Sequence, residues 1–171
     1  MTVHSVAPED CCGCSACFNI CPVQAITMQE DREGFKYPKI DERSCINCGK
    51  CEKACPVLHA ETAGRTLHPA FYAVWNRQDE ARVSRSSGGG FRVLAEDVLA
   101  DGGVVYGAAF DVHNRLRHVR AESADALVPL TGSKYVQSEI GTAFCQVRAD
   151  LKNGRRVLFT GTPCQVAGLY A

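Results

Sequence analysis

The spacing of hydrophobic positions changes along the chain, and each spacing predicts a different element. Short apolar segments at 25–28 and 35–37 flank a polar segment that contains Gly34, which predicts a strand, a turn and a second strand. Phe71–Trp75 is rich in aromatic residues and predicts another strand. Further strands are predicted at 104–110, 117–122 and 156–160.

Two stretches have the periodicity of an amphipathic helix. The first follows Gly90, and its buried stripe is predicted to consist of Phe91, Leu94, Val98 and Leu99. The second follows a loop at 132–138, and its apolar positions recur at steps of 4, 4, 3 and 4. Those positions are Val136, Ile140, Phe144, Val147 and Leu151. The order of strands and helices predicts an α/β arrangement in this part of the chain.

A third helix is predicted at the end of the sequence, where Thr162 suits the N-cap and Pro163 the first helical position. Cys164 then lies in the first turn, where a thiol is expected to have a lowered pKa that favours nucleophilic or metal-ligand chemistry. We expect no second cysteine within reach to complete a site with it. Because the sequence ends inside this helix, we expect an incomplete α/β domain and an N-terminal fragment of a longer protein.

The chain has 171 residues, of which 46% are hydrophobic, and a formal net charge of zero. This composition excludes wholesale disorder, and the balanced charge gives no reason to expect nucleic acid as a partner. There is no apolar run long enough for a membrane span and no secretory leader after Met1, so we expect a cytoplasmic protein. Eleven cysteines, an odd number, without a secretion signal favour metal binding over a disulfide framework.

Nine of the eleven cysteines lie in the first 55 residues, mostly in two copies of one motif. Residues 11–22 and 45–56 both read C-x2-C-x2-C-x3-C-P, the spacing of bacterial 4Fe–4S ligation. The two-residue gaps let one tight loop present three thiolates to an iron–sulfur cubane, and the proline fixes the direction in which the chain leaves the fourth cysteine. A zinc site is the alternative, but zinc takes four ligands and does not need two such quartets.

In two-cluster ferredoxins the fourth cysteine of each motif ligates the other cluster. The predicted ligand sets are Cys11, Cys14, Cys17 and Cys55 for one cluster, and Cys45, Cys48, Cys51 and Cys21 for the other. Cys12 is surplus, because only one residue would separate it from Cys14. Both Cys12 and Cys145 are interpreted as packing residues.

The cysteine distribution also predicts the domain boundaries. Residues 1–58 are expected to form an α+β, ferredoxin-like domain with two 4Fe–4S clusters, residues 59–70 a linker, and residues 71–171 the incomplete α/β domain. Residues 1–60 carry eight acidic and six basic side chains, a net charge of −2. Two oxidised clusters with their thiolates would bring the charge to about −6, so we expect a redox partner to present a basic face.

Two loops in the second part have the composition of a ligand site. A Ser/Gly-rich turn leads into a predicted helix N-terminus, which suits an anion, although a flexible linker with a serine cap has the same composition. The next loop places a lysine and a tyrosine where they face a ligand phosphate or ring, or serve as ordinary surface and packing residues. The candidates are Ser86, Ser87, Gly88, Gly89, Gly90, Gly132, Ser133, Lys134 and Tyr135. His113 and His118 are interpreted as part of a partly solvated basic stretch.

The cysteine motifs, the two loops and the sequence Gly-Thr-Pro-Cys-Gln at 161–165 together resemble the beta-subunit family of coenzyme F420 hydrogenases and dehydrogenases. The resemblance covers nearly the whole chain and implies an iron–sulfur flavoprotein in which FAD passes electrons between a hydride carrier and the clusters. It makes the two loops candidate FAD contacts. It also implies that Cys164 ligates a third 4Fe–4S cluster, whose other ligands would lie beyond Ala171.

The function predicted from this resemblance is an oxidoreductase subunit that moves electrons between a hydride carrier, F420-like or other, and a redox partner. The alternative is a ferredoxin-type electron-transfer module on a non-catalytic α/β scaffold. A purely structural interaction domain is disfavoured by eight correctly spaced cysteines. The sequence identifies no catalytic residue, and without a Ser-His-Asp or paired-carboxylate pattern hydrolysis is unsupported.

Overall fold

The computed structural model of the protein describes residues 6–60, 70–77 and 89–171. Its helices and strands in chain order are α1 (Ala16–Ile20), β1 (Ile26–Glu30), β2 (Lys36–Ile40), α2 (Lys50–Lys53), α3 (Gly90–Ala100), β3 (Val104–Phe110), β4 (Leu116–Ala121), α4 (Ala124–Leu127), α5 (Ala143–Lys152), β5 (Val157–Phe159) and α6 (Pro163–Tyr170). Short 3-10 helices occupy Pro8–Asp10 and Val128–Leu130. Among the described helices, none has the length and hydrophobicity that a membrane span requires.

The described residues divide into two units. The first contains those up to residue 60 together with Thr162–Ala171, and the second contains those from residue 70 to Gly161. The predicted linker at 59–70 falls largely on residues 61–69, which lie outside the described residues. The grouping of Thr162–Ala171 with the cysteine-rich unit differs from the predicted boundaries, which place these residues in the second domain.

An antiparallel β-hairpin lies at the centre of the first unit. β1 pairs with β2 so that Ile26 lies opposite Ile40. The turn is held by Asp31, whose Oδ1 accepts hydrogen bonds from the backbone N–H groups of Glu33 and Phe35, each at 2.9 Å. The predicted strand, turn and strand are therefore confirmed.

The two cysteine motifs have matching backbone conformations. In the first motif, Gly13 and Ser15 flank the second cysteine with φ of 62° each. In the second motif, Asn47 and Gly49 occupy the corresponding positions with φ of 52° and 70°. Two left-handed residues this close together curl the chain into a tight loop, and α1 or α2 follows each loop. The sequence repeat is thus also a structural repeat.

The hairpin and the motifs share one hydrophobic core. Ile26 and Ile40 are buried together with Cys17, Cys51 and Cys55. Because the cysteines supply part of this core, the motifs pack against the hairpin.

The last helix, α6, packs against the first motif. Its start is fixed by a capping box, in which the backbone N–H of Thr162 donates to Oε1 of Gln165 at 2.9 Å. The predicted N-cap is confirmed. Gly168 lies so close to the motif that an added Cβ would stand 3.0 Å from Cβ of Ala16 and 3.2 Å from Sγ of Cys14. A side chain at this position would therefore require its neighbours to shift by a few tenths of an ångström.

The second unit contains a three-stranded sheet with β3 at its centre. β3 is antiparallel to β4 and parallel to β5. The core combines Ala95 and Val98 of α3 with Val105 of β3 and Leu127 of α4. The three strands predicted in this region are confirmed, although β5 is shortened to Val157–Phe159.

The strand predicted at Phe71–Trp75 is wrong. These residues have no regular secondary structure, and Phe71 is 90% exposed. Aromatic residues favour strands because they pack on a half-buried sheet surface. In the described part of the chain these residues are exposed, so their aromatic side chains have no sheet surface to pack on and do not form a strand.

The predicted buried positions of both amphipathic helices are wrong in part. In α3, Ala95 is buried where Leu94 was predicted to be, and Leu94 is exposed. α5 begins at Ala143 and not near Val136, because Gly141 has a left-handed φ of 51° that interrupts a helix. Val136 and Leu151 are exposed, as is Cys145, which was interpreted as a packing residue.

Candidate metal centre

The first predicted ligand set lies mostly in the interior of the first unit. Cys14, Cys17 and Cys55 are buried and Cys11 is half-buried. The thiols of Cys11, Cys17 and Cys55 interact electrostatically with one another, and Cys14 interacts with Cys17. The structure therefore brings Cys55, from the second motif, to the three cysteines of the first motif.

Burial makes this set unsuitable for free thiolates. The pKa of Cys17 is raised to about 12, chiefly by desolvation and also by the nearby Cys11 and Cys55. The pKa of Cys11 is raised in the same way, with burial as the largest cause. Four thiolates in one place need a compensating positive charge, which iron supplies. The chemistry of the donor set fits an iron–sulfur cluster.

The second predicted set lines a small cavity that is partly open to solvent. Its lining includes Cys21, Cys45, Cys48 and Cys51, with apolar walls from Ile26 and other residues. The cavity therefore joins Cys21, from the first motif, to the three cysteines of the second motif.

Backbone amides hydrogen-bond to sulfur in this second set. The N–H of Ala25 donates to Sγ of Cys21 at 3.3 Å, and the N–H of Asn47 donates to Sγ of Cys45 at 3.5 Å. Such bonds stabilise thiolate ligands and set the reduction potential of a cluster. The four thiols and the N–H groups that bond to them fit an iron–sulfur cluster.

Across the described residues, no three His, Cys, Asp or Glu side chains form a group that could hold one metal ion. Zinc takes four ligands, whereas two cysteine quartets that are each followed by proline have the ligand pattern of two iron–sulfur clusters.

Two further cysteines lie beside the first set. The Cys12 thiol forms hydrogen bonds with the thiols of Cys14 and Cys164, and that with Cys14 contributes most to lowering the pKa of Cys12, to about 6. The expectation that Cys164 has no thiol within reach is therefore wrong. Sequence distance concealed this contact, because α6 returns to the first motif only in the folded chain.

The lowered pKa predicted for Cys164 is also wrong. Burial raises the pKa of this thiol, and the hydroxyl of Thr162, whose Oγ1 lies 3.1 Å from Sγ, only partly opposes the effect. Desolvation thus outweighs the position at the start of a helix.

The first candidate FAD loop is only partly described. Ser86, Ser87 and Gly88 lie outside the described residues. Gly89 has a φ of 78° and Gly90 begins α3. Arg92, in the first turn of α3, is paired with Glu96.

The second candidate FAD loop is held by its own lysine. The Lys134 ammonium donates to the carbonyl oxygens of Pro129 at 3.0 Å and Thr131 at 2.7 Å, and burial lowers its pKa. Lys134 therefore fastens the loop. Gly132 has an open environment with a φ of 82°, and the ring of Tyr135 is 92% exposed.

His118 is buried, so the prediction of a solvated side chain is wrong for it. Its ring stacks on Phe159 with centroids 4.9 Å apart. Nε2 lies 2.8 Å from the carbonyl oxygen of Thr160 and must donate, so Nδ1 accepts from the hydroxyl of Ser138 at 2.9 Å. Side chains alternate between the two faces of β4, so His118 lies on the same face as buried Leu116. This alternation was the sequence signal for the burial of His118.

Comparison with known proteins gives a family for the first unit. Residues 10–58 match the family model of the 4Fe-4S dicluster domain. An uncharacterized polyferredoxin-like protein of Methanocaldococcus jannaschii is 33% identical over 73 residues, which are 38% of this chain and 44% of that protein. NADH-quinone oxidoreductase subunit I 2 of Geobacter metallireducens is 44% identical over 59 residues, which are 32% of this chain and 44% of that protein.

A third relative belongs to the Na(+)-translocating ferredoxin:NAD(+) oxidoreductase complex of Acetobacterium woodii. It is 44% identical over 46 residues, which are 27% of this chain and 13% of that protein. The chain thus spans less than half the length of each of these three relatives. The repeated motifs and the family match together identify residues 10–58 as a 4Fe–4S dicluster ferredoxin domain.

Proposed function

We propose that the protein is an iron–sulfur electron-transfer module that exchanges electrons with a redox partner through two 4Fe–4S clusters. The observation that carries the proposal is the crossing of the two motifs. Cys55 interacts with Cys11 and Cys17, while Cys21 lines the cavity of the other motif. This is the pairing that a two-cluster ferredoxin requires.

The proposed ligands follow from this crossing. One cluster is held by Cys11, Cys14, Cys17 and Cys55, and the other by Cys21, Cys45, Cys48 and Cys51. When bound, the clusters supply reversible one-electron chemistry. The chain supplies the ligands, the N–H donors to sulfur at Ala25 and Asn47, and the apolar surroundings.

The two predicted cluster sites differ in solvent exposure, so one of them is better placed to exchange electrons with a partner. Cys14, Cys17 and Cys55 are buried, whereas Cys48 is exposed on the rim of the open cavity. Ile46, which also lines that cavity, is 60% exposed. We therefore assign the contact with a protein partner to the surface around Cys48 and Ile46.

The experiment is a charge substitution on this surface. In the anaerobically reconstituted protein, Ile46→Lys should slow electron transfer to a protein acceptor with a basic face several-fold, while reduction by a small uncharged electron donor stays unchanged. Val112→Lys, at a 94% exposed position of the second unit, is the matched control. Equal rates for the two variants would contradict the assigned partner surface, and the absence of any reducible cluster in the wild type would contradict the function.

We further propose, on the basis of the resemblance to F420 hydrogenase and dehydrogenase beta subunits, that the second unit contributes to FAD binding and serves a hydride carrier. The exposed Tyr135 ring beside the open Gly132 supports this, because it offers a flat surface next to backbone that another group can approach. FAD would supply the conversion between hydride and single-electron transfer.

Flavin binding is tested by titrating the purified chain with FAD. Tyr135→Ala should weaken the affinity for FAD several-fold, because the flat ring that FAD would contact is lost. The ring is exposed, so its removal leaves the core of the protein unchanged. Val112→Ala, an equally exposed position, should leave it unchanged. If the wild type retains no flavin, the electron-transfer module alone describes the function.

A further inference from the structure

The two cysteine motifs share a backbone conformation, but they differ in the side chain that stands immediately before the second cysteine. Gly13 occupies this position in the first motif with a φ of 62°, and Asn47 occupies it in the second with a φ of 52°. Glycine adopts a left-handed conformation without strain, and asparagine is one of the few residues with a side chain that tolerate it. The second site therefore has a polar side chain at a position where the first site has none.

The Asn47 side chain lies next to a predicted cluster ligand. Its Oδ1 lies 3.8 Å from Sγ of Cys45, which donates to it as a thiol, and the backbone N–H of Asn47 donates to the same sulfur at 3.5 Å. Cys45 is itself held in place, because its N–H donates to the carbonyl oxygen of Asp41 at 3.0 Å. The backbone and the side chain of one residue thus both reach the sulfur of Cys45.

Ligation of iron reverses the roles in the side-chain contact. A cysteine that binds a metal has lost its S–H proton, so its sulfur only accepts hydrogen bonds. An asparagine amide has an oxygen that accepts and an NH2 group that donates, and rotation of the amide exchanges the two. The amide of Asn47 is therefore able to turn its NH2 group toward the thiolate of Cys45 and give that sulfur a second donor.

We propose that Asn47 is a positioning residue that acts through Cys45 to raise the reduction potential of the cluster in the second motif above that of the other cluster. This rests on the proposed function, because it requires a cluster at each motif. An N–H donor to a ligand sulfur stabilises the reduced cluster, which carries one more negative charge than the oxidised one. Gly13 offers no side chain to the first set, so the amide distinguishes the two sites.

The difference in potential directs electrons within the module. When a redox partner has delivered one electron to the buried cluster, that cluster is oxidised again as the same electron reduces the cluster of the second motif. The greater exposure of the second set acts in the same sense, because water also stabilises the more highly charged reduced state. The electron thus comes to rest beside Cys48 and Ile46, on the exposed surface that we assign to the partner.

The test is a redox titration of the anaerobically reconstituted protein followed by electron paramagnetic resonance, with iron content measured on the same samples. Asn47→Gly keeps the left-handed backbone and its N–H but removes the amide, and Asn47→Asp keeps the shape of the side chain without a donor. In both variants the higher of the two midpoint potentials should fall, so that the ratio of reduced to oxidised cluster at a fixed potential drops several-fold. The fall should be larger in Asn47→Asp because of its negative charge, and the lower midpoint potential should stay unchanged in Asn47→Gly.

Asn114→Asp is the matched control. Asn114 is exposed in the second unit and has a left-handed φ of 56°, so this substitution adds the same charge on the same type of backbone. It should leave both midpoint potentials unchanged.

The outcomes separate this inference from the proposed function. Normal iron content with unchanged potentials in Asn47→Gly would overturn the role of Asn47 and leave the proposed function intact, as would a fall in the lower potential alone. Loss of iron in both variants would also overturn it, since Asn47 would then be needed for cluster assembly. If only Asn47→Asp loses iron, the potential of Asn47→Gly decides. A wild type without reducible clusters would overturn both proposals.

Discussion

At the residue scale, the second unit contains a buried carboxylate with a complete set of partners. Asp150 accepts two hydrogen bonds from Arg120, each at 2.9 Å, and one from the hydroxyl of Tyr106 at 2.6 Å. The bonds from Arg120 are the main reason that the pKa of Asp150 falls to about 2, and burial raises the pKa of Tyr106 to about 12. A carboxylate joins the core only when its charge is paired in this way.

Asp150→Asn should lower the free energy of unfolding by roughly 2 kcal/mol at pH 7, because Arg120 then keeps only Glu122 as an ion-pair partner. The folded-state pKa of Asp150 is depressed, so the stabilisation is present above about pH 4 and is lost as the pH falls toward 2. Urea unfolding followed by circular dichroism at several pH values measures both effects. The difference in free energy of unfolding between variant and wild type should become smaller as the pH falls. A difference that does not change with pH would contradict the role of the ionised carboxylate. Glu42→Gln, at an exposed position of the first unit, is the control and should change neither the free energy of unfolding nor its dependence on pH.

At the element scale, the sequence predicted those features whose causes are local. The hairpin follows from alternation around a turn that Asp31 and Gly34 form, and the start of α6 follows from Thr162 and Pro163. The start of α5 could not be predicted in the same way. The backbone N–H of Glu139 donates to the carbonyl oxygen of Leu116 at 2.8 Å, which draws the preceding residues to β4 instead of into the helix.

The same reasoning explains what was found and missed at the candidate site. The eight motif cysteines stand at the spacing of bacterial 4Fe–4S ligation, so their grouping could be predicted from the sequence. The pairing of Cys12 with Cys164 depends on where α6 packs, and no local pattern encodes that contact. Burial of His118 was encoded by alternation with Leu116 and was obscured by the basic residues around it.

The packing of α6 is tested by Gly168→Val. The first added carbon would already lie 3.0 Å from Cβ of Ala16, so the larger side chain must push the helix away at a cost of about 1–3 kcal/mol. The iron–sulfur absorbance should bleach several-fold faster in air, because Cys14 becomes accessible. Tyr170→Ala, at an exposed position of the same helix, is the control and should bleach like the wild type. Equal bleaching of all three proteins would show that α6 does not protect the first site.

At the scale of the whole molecule, the first unit carries the machinery for electron transfer. It places one ligand set in its interior beneath α6 and the other around an open cavity. A cluster in the interior is protected from solvent, and one near the surface is accessible to a partner. The function proposed for the chain depends on this arrangement and on the exchange of the fourth cysteine between the motifs.

The most direct measurement of that exchange compares two cysteines of the same motif by electron paramagnetic resonance of the reduced protein. Cys48→Ser should remove the signal of the cluster in the open cavity and leave the buried one, whereas Cys55→Ser should do the reverse. Cys145→Ser should retain both signals. The account predicts complementary losses from the two variants of one motif, and loss of the same signal in both would contradict it.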